Sequence, residues 1–470
     1  MHTSCEESSL PPGSGGEILN IVRKFKNSAV FRNIVYAYII KAGSVLIGVL
    51  LVSAYIKYFS DAVILGIWYT ILSIVSWVIN FDVGIGHGLR NMSVKAMACK
   101  DTAWLKRLVS SGYVIIAIIC LAIFFVGSIL IWLLDWNAFF KVSAEQISSQ
   151  TLTLSIFISF AGIVLQLVLK LVTSLFNAME KTALTSLLTL LTNLLIVLFV
   201  MFFRGKDQET NLLALSVMYF FALNLPYAVA SIIVYSRKLK EIRPSLRAFE
   251  WRTGKSILSL GGKFFWIQIM LMVVTATNEL FITRLVSVDQ VVVFQIYNKL
   301  YGTVLLLFSL ITNPMWSAMG KAWQLEDYSG VRRMYRNLHY LALLWTLGIL
   351  LMGIFLQPIV NIWLREDAIA MDIKSILIFS VYSIIMVFAY AQSALSNAIS
   401  LLGGQMWCYT VAAVLKYPLC LLFLPIVKDW NTIILVNALI MLPYVIIQPI
   451  ALRNRMRAAE QKAKMIASNQ

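Results

Sequence analysis

The chain has 470 residues, of which 60% are hydrophobic and 13% charged, and its mean hydropathy is +0.81. A soluble globular chain carries roughly 45–50% apolar and about 25% charged residues, so this composition excludes a water-soluble enzyme and leaves a polytopic membrane protein. The apolar residues come in continuous runs, which excludes an outer-membrane barrel, and the net charge of +17 is that of basic loops held on the cytoplasmic side, with no nucleic-acid partner implied.

Taken in chain order, residues 1–33 are polar and contain Pro11-Pro12-Gly13 and Gly15-Gly16, then Arg23, Lys24, Lys26 and Arg32. No short apolar region precedes a small-residue cleavage site, so this is read as a cytoplasmic tail and not a signal peptide. A membrane-crossing helix needs about 20 apolar residues. Twelve such runs follow, at 34–56, 63–81, 109–134, 151–177, 183–203, 212–236, 257–283, 290–312, 339–360, 373–398, 406–427 and 431–452. An even number puts both termini on one side. The tail-side segments (1–33, 82–108, 178–182, 237–256, 313–338 and 453–470) hold 26 of the 39 basic residues, against seven in the opposite loops and Lys374 at the very start of span 10. Both termini are therefore expected in the cytoplasm.

The chain reads as duplicated. Lys95-Ala96-Met97-Ala98-Cys99-Lys100-Asp101 to Arg107 follows span 2, and Lys321-Ala322-Trp323-Gln324-Leu325-Glu326-Asp327 to Arg333 follows span 8. At a constant offset of 226, Lys, Ala, Asp and the final Arg coincide. The expected architecture is all-α: two six-helix bundles, 34–236 and 257–452, related by a pseudo-two-fold along the membrane normal. They are joined by a basic linker, 237–256, and followed by a basic tail, 453–470. Parallel repeats of this kind build transporters with the binding site at the repeat interface.

The end of span 2 reads Phe81-Asp82-Val83-Gly84-Ile85-Gly86-His87-Gly88-Leu89-Arg90-Asn91. It resembles the Asp-x-Gly-x-Gly-Asn-Gly-Leu-Arg-Asn signature of polysaccharide-biosynthesis flippases, the Wzx-type O-antigen exporters of the multidrug/oligosaccharidyl-lipid/polysaccharide superfamily. His87 stands where the signature has Asn. Gly66-Ile67-Trp68, Gly262-Lys263-Phe264-Phe265-Trp266-Ile267-Gln268-Ile269 and Asn313-Pro314-Met315-Trp316-Ser317-Ala318 are similar to further family stretches; Asn397-Ala398 and Gly403-Gly404 match the pattern after span 10 in part. The resemblance implies two bundles forming a V around a central cavity in the bacterial inner membrane. The substrate it implies is a short oligosaccharide on a polyprenyl pyrophosphate, moved from the cytoplasmic to the periplasmic leaflet. Its partners would be membrane lipids and the glycan polymerase and chain-length regulator of the same pathway, with a monomer as the working unit.

Charge placement supplies an independent reading. Lys41, Lys170, Lys263, Lys299 and Lys416 lie inside predicted spans, whereas Glu279 is the one carboxylate clearly inside one. A charge at bilayer depth costs roughly 2.5–3.5 kcal/mol on insertion scales. Cations without partners suit a cavity that takes a pyrophosphate. The competing reading is snorkelling, which fits Lys263 near a span end; Lys41 and Lys170 are about 10 Å deep at 1.5 Å per residue, and Lys299 and Lys416 are nearest mid-span, where the cavity or an internal partner is expected. Arg90 could hold a phosphate bidentately, and Gly84, Gly86 and Gly88 let backbone turn tightly; alternatively Asp82 pairs with Arg90 at a glycine hinge. Glu279 either couples ion entry to export or pairs with Arg284.

Cys5, Cys99, Cys120, Cys408 and Cys420 form no CxxC pair, and His2, His87 and His339 are far apart, so neither metal nor cofactor is expected. No P-loop is present, leaving an ion gradient, the membrane potential or substrate flux as driving force. A multidrug exporter of the same superfamily is the alternative function, although it would want acidic residues in its cavity. A membrane-embedded polymerase or acyltransferase is disfavoured by the short external loops and the lack of membrane histidines, so no enzyme activity is expected. A reporter fused within 237–256 should read as cytoplasmic; an external reading would overturn the twelve-span topology.

Overall fold

A backbone in hydrocarbon must satisfy every N–H and C=O within its own segment. The computed structural model describes residues 29–468 apart from 60, 81–83, 141, 288 and 365–368, and among these it is all-α. The described residues form two compact units that divide between Gly262 and Lys263. The expected tail, 1–33, lies almost wholly outside them.

The first unit contains α1 (Ala29–Tyr58), α2 (Ala62–Asn80), α3 (Ile85–Ala98), α4 (Thr102–Leu133), α5 (Trp136–Phe140), α6 (Ser149–Leu169), α7 (Val172–Ala178), α8 (Thr182–Phe202), α9 (Gln208–Ile233) and the start of α10 (Trp251–Ala276). The second contains the rest of α10, then α11 (Asn278–Leu285), α12 (Asp289–Gln324), α13 (Tyr328–Ile354), α14 (Leu356–Leu364), α15 (Ile373–Ala398), α16 (Gly403–Val427) and α17 (Asn431–Ser468). Ten helices, counting α6 and α7 as one, are long and apolar enough to cross a membrane. The first two expected spans fall on α1 and α2, whose described apolar stretches, Tyr38–Gly48 and Val63–Leu72, are shorter. Large apolar side chains stay exposed at helical spacing, as Leu121, Phe125 and Ile129 on α4 and Leu343, Leu347 and Ile354 on α13 do. Faces of this kind belong against lipid.

Several expected loops are ordered. The segment 313–338 is helical except at 325–327, because α12 runs through Pro314 to Gln324. The tail 453–470 continues α17 as far as Ser468; Arg455-Met456-Arg457-Ala458-Ala459-Glu460 are all good helix formers. The linker 237–256 is docked on α4. Glu250 N donates to Ser111 Oγ (3.0 Å), Ser245 N donates to Ser110 Oγ (3.1 Å), and Arg107 pairs with Glu250 at 3.6 Å. Its last residues open α10, so the division between units falls inside a helix and not in the linker.

The repeat is visible in the backbone. Asp101 caps α4 by accepting from Trp104 N, and Asp327 caps α13 by accepting from Gly330 N, both at 2.8 Å. The residue before each cap is left-handed, Lys100 at φ 54° and Glu326 at φ 61°. Asp101 N donates to Ala96 O and Asp327 N to Ala322 O, both at 3.0 Å. A second correspondence joins Asn177-Ala178 to Asn397-Ala398. Each precedes a turn with a left-handed residue, Glu180 (φ 62°) or Ser400 (φ 56°). Helix packing repeats as well: α4 on α6, α6 on α9 and α8 on α9 in the first unit; α13 on α15, α15 on α17 and α16 on α17 in the second.

The glycines after span 2 act on the backbone. Gly84 has φ 67° at the start of α3, a conformation that costs a side chain. A Cβ on Gly88 would lie 2.7 Å from the Ile257 carbonyl oxygen and 3.0 Å from Gly261 N, so α3 and α10 touch backbone to backbone. Gly88→Ala should destabilise the protein by about 1–3 kcal/mol through overpacking. Gly262→Ala, which meets nothing within 4 Å, should be neutral or slightly stabilising. Thermal melting of the two purified variants checks this: equal melting points would refute the close crossing.

Candidate functional site

The seventh predicted span, 257–283, is not one helix. α10 ends at Ala276, and α11 begins at Asn278 after Thr277 (φ −95°, ψ 4°). A break in a membrane helix orphans carbonyls that water cannot reach. Thr277 Oγ1 donates to Val273 O at 2.6 Å. The next carbonyl, Val274 O, accepts from Lys416 Nζ at 2.6 Å. The same ammonium donates to Thr277 Oγ1 (2.9 Å) and Asn278 Oδ1 (2.7 Å), which accounts for its three protons. Its charge also sits 4.9 Å from the centre of the Phe281 ring, within the range of cation–π attraction.

Lys416 is 0% exposed. It comes from the middle of α16, and Asn437 on α17 donates from Nδ2 to the same Asn278 Oδ1 at 2.8 Å. One ammonium therefore ties α10, α11 and α16 together, with α17 joined through Asn278. No carboxylate takes part. The sequence leaves Lys416 either a cationic cavity or an internal partner; the structure gives it internal partners, enclosed in the second unit with all three donors used. Its charge is dispersed over carbonyl, hydroxyl and amide dipoles, as the low local dielectric requires.

Asn278 also lines a cavity of about 320 Å³ in the second unit, with Thr275, Asn298, Tyr301, Tyr382, Ser383 and Tyr390 around it. Tyr301 Oη lies 2.9 Å from Ser380 Oγ and donates to Ile376 O at 3.2 Å. Ser383 Oγ is buried without a hydrogen-bond partner among the described residues. The cavity is thus uncharged and mixed: hydroxyls and amides stand among Leu271, Leu305, Leu306, Phe379 and Met386. Lys299 follows Asn298 on α12 with its side chain exposed. Glu279 accepts from Gln295 Nε2 and forms no salt bridge with Arg284 among the described residues.

The remaining candidates belong to the first unit. Arg90 is 2% exposed and engaged by its neighbours; burial pushes its guanidinium down to about 9, still cationic at neutral pH. It sits on α3, which packs against α7. Lys170 lies at the break between α6 and α7, half-buried, where Thr173 N and Oγ1 both donate to its carbonyl oxygen at 2.9 and 2.7 Å. Gly86 is buried. The Lys41 side chain and Asp82 lie outside the described residues. No group of three His, Cys, Asp or Glu able to hold a metal occurs among those described.

The charged residues of the sequence do not point to Thr277, Asn278, Asn437, Tyr301 or Ser383. Asn278 and Asn437 are amides within or beside apolar runs, a signal that was available. Lys416→Met keeps the length of the side chain but orphans Val274 O and Asn278 Oδ1, at about 1–3 kcal/mol for each buried acceptor. The melting temperature should fall by several degrees, with Lys299→Met nearly silent. Equal melting points for both variants would sink the clamp.

No family model and no curated protein matches this sequence. Solved structures do match. An outward-facing multidrug resistance MATE family transporter of the MOP superfamily superimposes with a TM-score of 0.75 at 12% identity, covering 92% of this chain and 96% of that one. A MOP superfamily transporter from Pyrococcus furiosus gives 0.74 at 12% identity, covering 92% and 96%. The Vibrio cholerae MATE transporter VcmN in its bent form gives 0.68 at 12% identity, covering 92% and 99%. The chain has the fold of these transporter structures.

Proposed function

We propose that this multi-pass protein is a transporter that moves a polyprenyl-pyrophosphate-linked oligosaccharide from the cytoplasmic to the periplasmic leaflet by alternating access, without enzymatic chemistry. The observation that carries the reading is the sign of the intramembrane charge. Away from their terminal turns, the ten spans hold no aspartate or glutamate; their cations include Lys170, Lys263 and Lys299, the enclosed Lys416, and Arg336, Arg453, Arg455 and Arg457 on the polar stretches of two of the helices. An organic cation finds no counter-charge on such helices, whereas a pyrophosphate does. The fold supports a transporter, and the Pyrococcus furiosus neighbour is described as having a binding pocket of reversed polarity that suggests a different function. The residue resemblance at Gly84 to Asn91 supports the glycan-lipid substrate, and the hydroxyls and amides in the cavity beside Asn278 offer partners to its sugars.

The structural likeness by itself speaks more directly for a second reading, a multidrug exporter, since a multidrug resistance transporter is among the matches. Glu279, exposed on α11, would then be the group that couples ions. The two readings differ in the cargo's charge, and reconstitution separates them. In proteoliposomes, a short polyprenyl-pyrophosphate glycan should be translocated by the wild type and at least tenfold more slowly by Lys299→Ala. Export of an organic cation, with no movement of the glycan lipid, would hand the case to the drug exporter.

A further inference from the structure

One charged cluster in the second unit is used neither by the fold nor by the proposed transport. α13 carries Arg332, Tyr335, Arg336 and His339, and α17 carries Arg453 and Arg457; together they line a cavity of about 470 Å³. The spacing explains the convergence: residues three and four apart on a helix share a face. Four guanidinium groups around one cavity repel one another, and a stability argument alone does not assemble them. Glu460 balances part of this charge through both carboxylate oxygens, 2.6 Å from Arg332 Nη2. Arg336, Arg453 and Arg457 make no salt bridge among the described residues.

A second observation concerns the cavity wall. Tyr335 is only 7% exposed, and its hydroxyl has no hydrogen-bond partner among the described residues. A buried hydroxyl left unpaired costs about 1–3 kcal/mol. The ring packs edge to face against His339 with centroids 4.3 Å apart, and His339 Nδ1 lies 3.0 Å from the Tyr335 carbonyl oxygen. The hydroxyl is a buried donor without an acceptor among the described residues, on a residue that lines a cavity of arginines.

We propose that this cavity binds a phosphate or pyrophosphate group at the membrane surface, held by Arg336, Arg453 and Arg457 and oriented by the Tyr335 hydroxyl. Guanidinium forks match phosphate oxygens bidentately, and the neutral hydroxyl adds a donor without further charge. The group comes either from an anionic phospholipid headgroup or from the diphosphate of a polyprenyl lipid. The assignment stands on this cavity's geometry and survives if the transported cargo is something else.

The test uses the full chain in nanodiscs of zwitterionic lipid, titrated with inorganic pyrophosphate by calorimetry. Saturable one-to-one binding is expected, weakening steeply with salt. Tyr335→Phe should lose about tenfold in affinity, the worth of one hydrogen bond to a charged group, with an unchanged or raised melting point. Arg336→Gln with Arg453→Gln should lose more, and Lys462→Gln, elsewhere on α17, should lose little. Abolition of pyrophosphate binding by phosphatidylglycerol in the nanodisc would identify a phospholipid headgroup as the occupant; survival there, with competition by polyprenyl diphosphate, would identify the diphosphate. Absence of binding, or binding indifferent to Tyr335→Phe and to the arginine pair, overturns the proposal.

Discussion

The second unit depends on one buried ammonium. α10 stops at Ala276, deep in an apolar sequence, and a stopped helix leaves carbonyls that hydrocarbon cannot solvate. Lys416 takes one of those carbonyls, the hydroxyl of the residue at the break and the amide of the first residue beyond it. The break and the lysine each make the other tolerable. Without the break the ammonium would be a bare charge; without the ammonium the break would be a cluster of unpaired dipoles. Because Asn278 both accepts from this ammonium and lines the polar cavity, the shape of that cavity is tied to the lysine.

The two units solve the same packing problem with the same devices. A left-handed residue followed by a capping aspartate starts α4 and α13. An Asn-Ala pair precedes the turn into α8 and into α16. The units diverge where the chemistry differs. The first unit breaks before α3 and uses glycines to bring that helix against α10, while the equivalent stretch of the second, α12, continues through Pro314.

The membrane class, ten of the twelve expected spans and the duplication were legible in the sequence, because lipid reads hydrophobic length and because the cap pattern at Asp101 and Asp327 is local. The depth of Lys416 was legible too, but its surroundings were not. Nothing at Thr277 announces a helix break, neither proline nor glycine; the residue that stabilises it is 139 positions away. The same limit hid the arginine cavity, whose halves belong to helices joined by a contact 128 residues apart in sequence. The ordered linker and the helical tail were missed for a different reason: polarity marks where a chain leaves the lipid, not where it stops being helical.

The fixed lysine has an electrical consequence. An ammonium held by three acceptors is part of the scaffold and does not travel with a cargo. If the cargo is a pyrophosphate carrying two negative charges, its export is then uncompensated and does electrical work. At 2.3 kcal/mol per charge for each 100 mV, a membrane negative inside supplies about 4.6 kcal/mol per molecule, on the order of a thousandfold accumulation on the outer face. Under the proposed function, the resting voltage of the cell is then itself an outward drive on the cargo.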